Sequence, residues 1–171
     1  MSAPRLTNLG DQFVYELEAV YDMEVKLVEA LGELSYMATN DKLSEGFATH
    51  RDETKAHVER VESAFQALGR EPSRRDNLVV DALLEEKAQY DESVVDDDLR
   101  NVHYLTAGMK TERIEISNYE GLLTTAKKAG LGDEVTDPLE ENLDDEENAL
   151  RKLEGLSTGS GLKALWTRLT S

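Results

Sequence analysis

The sequence predicts an all-α protein: a four-helix bundle of two antiparallel helical hairpins, with an extra helix in the crossover between them. Three observations carry this expectation. Long runs mixing Leu, Val and Ala with Glu and Lys repeat their apolar residues at helical spacing. Pro is scarce, at three residues, and Gly falls largely in the connections. The best-marked helices meet at short breaks, Thr39-Asn40-Asp41 and Gly130-Leu131-Gly132, so each pair should return antiparallel.

Taken in order, Asp11 is expected to cap a first helix with Phe13, Leu17, Val20, Tyr21, Glu24, Leu27, Leu31 and Leu34 along one stripe. A second helix carries Leu43, Phe47, His50, Thr54, His57, Val61, Phe65 and Leu68 and stops at Gly69. Pro72 and Ser73 then interrupt the chain. A shorter crossover helix follows from Leu78 to about Glu92, with Leu78, Ala82, Leu83 and Tyr90 as its contacts. Asp96-Asp97-Asp98 caps a long helix that ends at Gly130. The last bundle helix presents Leu139, Leu143, Glu146, Leu150 and Leu153, with Pro138 tolerable only near its first turn. Residues 1–157 therefore read as one bundle domain, and 158–171 as a Gly/Ser connector and short amphipathic tail with Leu162, Leu165, Trp166 and Leu169 on one side.

Charge narrows the partners. The formal net charge is −17, from 36 acidic and 19 basic residues, a surface that repels nucleic acid and anionic membranes. Self-repulsion of this size is relieved by high salt, which points to a cytoplasmic protein of a salt-accumulating organism. No stretch approaches the roughly 20 apolar residues of a membrane span, and MSAPRLTNLG has no apolar signal core. Without cysteine there is neither a disulfide framework nor a thiolate metal site.

Several acids sit where the helical pattern faces the core. In MKTERIEISNYEGLL, Glu112 falls in the i, i+3, i+4 ladder of the stripe of Leu105, Met109, Ile116, Tyr119 and Leu123, with Glu115 just beside it. Glu24 and Glu146 are the charged members of their own stripes, and Glu53 shares a face with His50 and His57. An ionised carboxylate taken out of water needs a charged partner or a metal. The hairpins also match in register: Glu24 is sixteen residues before Asn40 and Glu53 thirteen after it, while Glu115 and Glu146 are sixteen before and fifteen after Leu131. At about 1.5 Å rise per residue these acids converge at one height.

Carboxylates from four helices with an added imidazole are how bundles build dinuclear iron or manganese sites. The candidate metal ligands are Glu24, Glu53, His57, Glu112, Glu115 and Glu146, holding two Fe ions or, with the same hard donors, Mn. His57 stands four residues after Glu53 rather than three, and Leu150 takes the equivalent place on the last helix, so Glu112 replaces a missing imidazole. His50, Tyr21 and Tyr119 are candidate supporting groups behind the ligands. No side chain beyond the metal ligands is expected to be catalytic.

At LEAVYDMEVKLVEAL, LSEGFATHRDETKAHVERVE, KTERIEISNYEGLL and LEENLDDEENALRKLEGL the chain resembles the ferritin-like YciE/YciF family. The resemblance implies a ferritin-like four-helix bundle, a homodimer, a di-metal centre and a ferroxidase or stress-related role. Two readings of function remain open. One is a ferroxidase-type oxidoreductase that oxidises Fe(II) with dioxygen or peroxide, or its variant, manganese-dependent peroxide disproportionation. The other is a non-catalytic dimeric stress protein with a structural metal site. The tail either packs on its own bundle or docks on another protein.

Overall fold

The computed structural model describes residues 5–159 and 162–170, the side chain of Ala164 excepted. Among these residues six helices follow one another: α1 (Leu9–Met37), α2 (Asp41–Ala67), α3 (Leu78–Ser93), α4 (Asp97–Ala129), α5 (Asp133–Thr158) and α6 (Lys163–Thr170). Among the described residues there is no strand. The long helices form a ring in which α1 packs on α2 and α4, and α5 on α2 and α4. Asn101, near the start of α4, receives the backbone N–H groups of Thr39 and Asn40 at the α1–α2 turn, 3.1 and 3.3 Å away. The crossover therefore climbs the full height of the bundle, and every neighbouring pair of long helices is antiparallel.

The first four helices each begin at a side-chain cap. Asn40, Asn77 and Asp96 accept backbone N–H groups at the starts of α2, α3 and α4. Gly130 closes α4 in the left-handed region at φ 71, where a side chain would be strained. The cap of α1 is Asn8 rather than the expected Asp11. Asp11 lies in the first turn and reaches back to the Thr7 N–H and hydroxyl, so the two residues divide the capping work. In α5, Pro138 sits inside the helix, one turn past its start at Asp133, and the helix continues through it.

The crossover is pinned at its lower end by Asp22. Its carboxylate receives the Arg74 guanidinium at 2.8 Å, the Lys26 ammonium at 2.7 Å and the Asn77 N–H at 2.9 Å. That anchor sets the rotation of α3. Val80 is buried and Leu84 packs beside it, while Leu78 and Ala82, expected as contacts, face outward. The expectation followed the apolar pattern of α3 alone, whereas the loop before it decides which side meets α1 and α4.

The interior divides into two apolar clusters. The lower contains Phe13, Leu17, Phe65, Leu122 and Leu139; the upper contains Leu31, Phe47, Tyr104, Leu105 and Leu153. Leu162 and Leu165 of the tail are buried in the upper cluster, Trp166 donates to the Ser157 carbonyl at 3.2 Å, and Arg168 pairs with Asp96 and Asp98. The tail thus lies against its own bundle. Ser160 and Gly161 of the expected connector lie outside the described residues. Between the two clusters runs a layer of acids and imidazoles.

Candidate metal centre

Each of the four long helices delivers polar side chains to this layer because its inward stripe is interrupted there by charge. Along α4 the buried positions run Tyr104, Leu105, Glu112, Glu115, Tyr119 and Leu122, and along α5 they run Leu139, Asn142, Glu146, Ala149 and Leu153. Glu24 of α1 and His50 and His57 of α2 complete the layer, all buried.

The donors fall into two groups. His50, Glu112, Glu115 and Glu146 each place one nitrogen or oxygen within 4.8 Å of the others, and Glu24, His57 and Glu146 do the same. Glu146 belongs to both. His50 Nε2 is 3.3 Å from Glu112 Oε1 and 3.4 Å from Glu146 Oε2. His57 Nδ1 is 2.9 Å from Glu146 Oε1 and 3.6 Å from Glu24 Oε2. These spacings do not amount to a hydrogen-bonded network. Both nitrogens of His57, both oxygens of Glu146 and one oxygen each of Glu24, Glu112 and Glu115 are buried with no hydrogen-bond partner.

Buried polar atoms without partners are costly and rare, so a set of them facing one another needs an occupant. A cation fits the donor chemistry. Carboxylate and neutral imidazole suit divalent iron, manganese or zinc, and the four buried glutamates carry the formal charge that two divalent ions would neutralise. Without a metal, protons do that work. Burial, then the charges of Glu146, Glu112 and Glu24, push the Glu115 carboxyl well above the ordinary carboxylate range. Burial, partly offset by His57, raises Glu146 to about 8. Burial opposes a charged His57, but Glu146 and Glu24 outweigh it and raise the imidazole to about 10. His50 is likewise raised well above its ordinary value, against burial, by Glu112, Glu53 and Glu146.

A supporting set surrounds the donors. The Tyr119 hydroxyl donates a short hydrogen bond to Glu24 Oε1 and accepts one from Asn142 Nδ2 at 2.9 Å, which fixes one oxygen of Glu24 and leaves the other facing His57. Asn142 also donates to the His57 carbonyl at 3.2 Å. Outside the bundle, Arg60 holds Asp145 at 2.8 Å, and Asp145 Oδ2 lies 3.4 Å from His57 Nε2.

Of the residues singled out by sequence, Glu24, His57, Glu112, Glu115 and Glu146 come together in these clusters. His50, expected behind the ligands, lies within one. Glu53, expected as a ligand, lies behind His50: its carboxylate meets His50 Nδ1 at 3.2 Å and Lys152 Nζ at 3.0 Å. The contact with His50 comes first in holding its pKa down at about 2. Tyr21 is apart from the centre, with its hydroxyl on Glu62 at 2.6 Å and its ring edge-on to Phe65. Asn142 was not singled out, although its spacing from Leu139 and Glu146 places it on their stripe.

Fold and site together define a ferritin-like four-helix bundle whose interior holds a carboxylate and imidazole cluster able to bind a metal ion. The chain belongs to the family described as Domain of unknown function (DUF892), which it matches over residues 8–165. It is 29% identical over 153 residues to Protein YciF of Escherichia coli K12, covering 89% of this chain and 92% of that protein. The crystal structure of the E. coli stress protein YciF superposes with a TM-score of 0.82 at 28% identity, covering 88% of this chain and 95% of the other. YcfI of Rhodopseudomonas palustris gives a TM-score of 0.86 at 27% identity, covering 90% and 98%. No helix among the described residues is long and apolar enough to cross a membrane.

Proposed function

We propose that this protein is a ferroxidase-type oxidoreductase that binds two Fe(II) ions per chain and acts in iron handling under stress. The observation that carries this reading is the pair of unpartnered donor groups joined through Glu146. One carboxylate shared between two groups suits two ions a few ångströms apart, the arrangement that two-electron chemistry on dioxygen requires. Two Fe(II) give up one electron each, and dioxygen takes both electrons with two protons to leave as hydrogen peroxide.

The residues contribute binding, charge compensation and orientation. Glu115, Glu112 and His50 would hold one ion, Glu24 and His57 the other, with Glu146 between them. Tyr119 and Asn142 fix the approach of Glu24, and Glu53 fixes the ring of His50 by accepting at Nδ1 while Nε2 faces the cluster. The similarity to a protein described as a stress protein supports the physiological setting.

The test is anaerobic Fe(II) titration of metal-stripped protein, then an oxygen pulse with iron oxidation and oxygen consumption recorded together. Saturation at about two irons per chain, as a dinuclear site requires, with oxidation faster than in buffer and lost in Glu115→Ala, supports the reading. Binding without accelerated oxidation would overturn the activity and favour a structural metal. That second reading draws on the same site, because its donors come from all four long helices and an ion would tie them together.

A further inference from the structure

Among the described residues, two cavities that reach the centre differ in size and in the charged side chains along them. One is a cleft of about 420 Å³ beside α2 and α5, where Lys42, Glu45, Glu53 and Lys152 stand at the edge of an otherwise apolar wall that includes Leu153 and Leu156, and His50 and Glu112 also line it. The other lies beneath the crossover helix, where α3 covers the groove between α1 and α4. Its walls include Leu27 and Leu31 of α1, Leu83 and Leu84 of α3, and Ala107 of α4. Glu86, Lys87, His103 and Thr111 stand among them, and His50, Glu112 and Glu115 also line it. Only the second touches Glu115.

The second cavity has a volume of about 50 Å³. A water molecule needs about 10–15 Å³ measured in this way, so the space holds a few molecules of that size. A diatomic gas fits, and an organic substrate of ordinary size does not. Along its leucines the walls offer water no hydrogen bonds, and apolar space of this kind accepts small non-polar guests such as xenon. Lys87, which lines this cavity, is held by Asp91 at 3.0 Å and by Glu33 at 3.4 Å.

We propose that the apolar cavity under α3 is a binding site and inward route for dioxygen, separate from the charged cleft by which cations and peroxide reach the same cluster. Its use as a route rests on the ferroxidase reading; the binding of a small non-polar gas does not. Separate routes have a physical advantage. Carboxylates such as Glu45 and Glu53 of the cleft can take over from the waters of a hydrated cation, whereas dioxygen needs no such partners and gains from the leucines under α3.

The deciding experiment is xenon binding to the full-length, metal-free protein, read by diffraction from pressurised crystals or by xenon chemical shift in solution. One site per chain, bounded by Leu31, Leu84 and Ala107, is expected. Ala107→Leu and Ala30→Leu, each confirmed folded by its melting transition, should abolish it, because added methylenes fill the space. The same variants should slow iron oxidation by dioxygen about tenfold, as a packed cavity admits little, and leave oxidation by hydrogen peroxide unchanged. Absence of xenon from the wild-type cavity overturns the proposal whatever the iron chemistry. Unchanged oxidation by dioxygen in a variant that excludes xenon overturns the route. If the wild type oxidises no iron, the ferroxidase reading and the route fail together, and the xenon result still decides whether the gas site exists.

Discussion

His57 Nδ1 lies 2.9 Å from Glu146 Oε1, yet the two make no aligned hydrogen bond, and both atoms are buried. Both atoms are thus close to each other and still without a hydrogen-bond partner. Glu146 serves the His50 group with its other carboxylate oxygen. This glutamate is therefore the residue on which both groups depend.

Glu146→Gln should abolish tight binding of both ions, whereas a change confined to one group, such as His57→Ala, should leave about one of two sites, given the two-ion reading. Since burial raises Glu146 to about 8, it is largely neutral near pH 7 without metal, and the amide matches the protonated carboxyl in shape, so the metal-free Glu146→Gln protein should melt close to wild type there. Calorimetric titration with Mn(II) or Fe(II), paired with thermal melts, checks both statements.

Metal binding should strengthen with pH and release protons. Glu115 is raised well above the carboxylate range, Glu146 to about 8 and His57 to about 10, so each must lose a proton to serve as a ligand. Between pH 6 and 8 affinity should rise by about tenfold per pH unit for each net proton displaced. Titrations in buffers of different ionisation enthalpy count those protons.

The metal-free protein should behave in the opposite way. Glu146 and His57 bind protons more tightly folded than unfolded, so their contribution is fully present below their ordinary values of 4.5 and 6.5. It is lost as pH rises through about 8 and about 10. Melting temperature should fall across that range without metal and fall less, or rise, with metal bound. Thermal melts with and without saturating Mn(II) distinguish the two curves.

Asp22→Asn should loosen the crossover at its lower end. The carboxylate carries the Arg74, Lys26 and Asn77 contacts, and weakening these charge-assisted bonds costs about 2 kcal/mol. Although burial opposes it, these partners hold the Asp22 carboxyl below its ordinary value of 3.8. Its contribution is therefore present above that value and lost as pH falls below it. Denaturant titration should find the variant less stable at pH 6, with the gap closing in strong acid.

Leu162→Ala should cost about 2–4 kcal/mol, as large-to-small changes in a packed core do, because Leu162 is buried among Leu31, Leu43, Phe47 and Leu105. Iron or manganese stoichiometry should be unchanged, since the tail packs in the upper cluster rather than in the metal layer. A loss of stability with metal binding intact is the expected pairing, measured by denaturant titration and calorimetry.

Local chemistry made much of this legible. Helical spacing, the breaks at Asn40 and Gly130 and the proline at Pro72 mark the bundle helices, because they act through the chain's own backbone. In-stripe charge marked Glu24, Glu112, Glu115 and Glu146, since a carboxylate at a core position needs a partner wherever the neighbours come from. Asn142 lies on the same ladder as Glu146, but an uncharged amide carries no signal of that strength.

What the sequence by itself determined is the helical hairpins, their antiparallel pairing and the acids at mid-height, all consequences of period, capping and charge along one chain. What only the tertiary structure decided is how those helices are rotated against one another. That rotation brings His50 Nε2 to the cluster while Glu53 accepts at its other nitrogen and meets Lys152 of α5, turns Tyr21 toward Glu62, and buries Val80 instead of Leu78. A helical period fixes which residues share a face, but a face about 100° wide admits several rotations. The choice among them is made by packing between helices distant in sequence, and here by the Asp22 anchor and the two apolar clusters that bracket the metal layer.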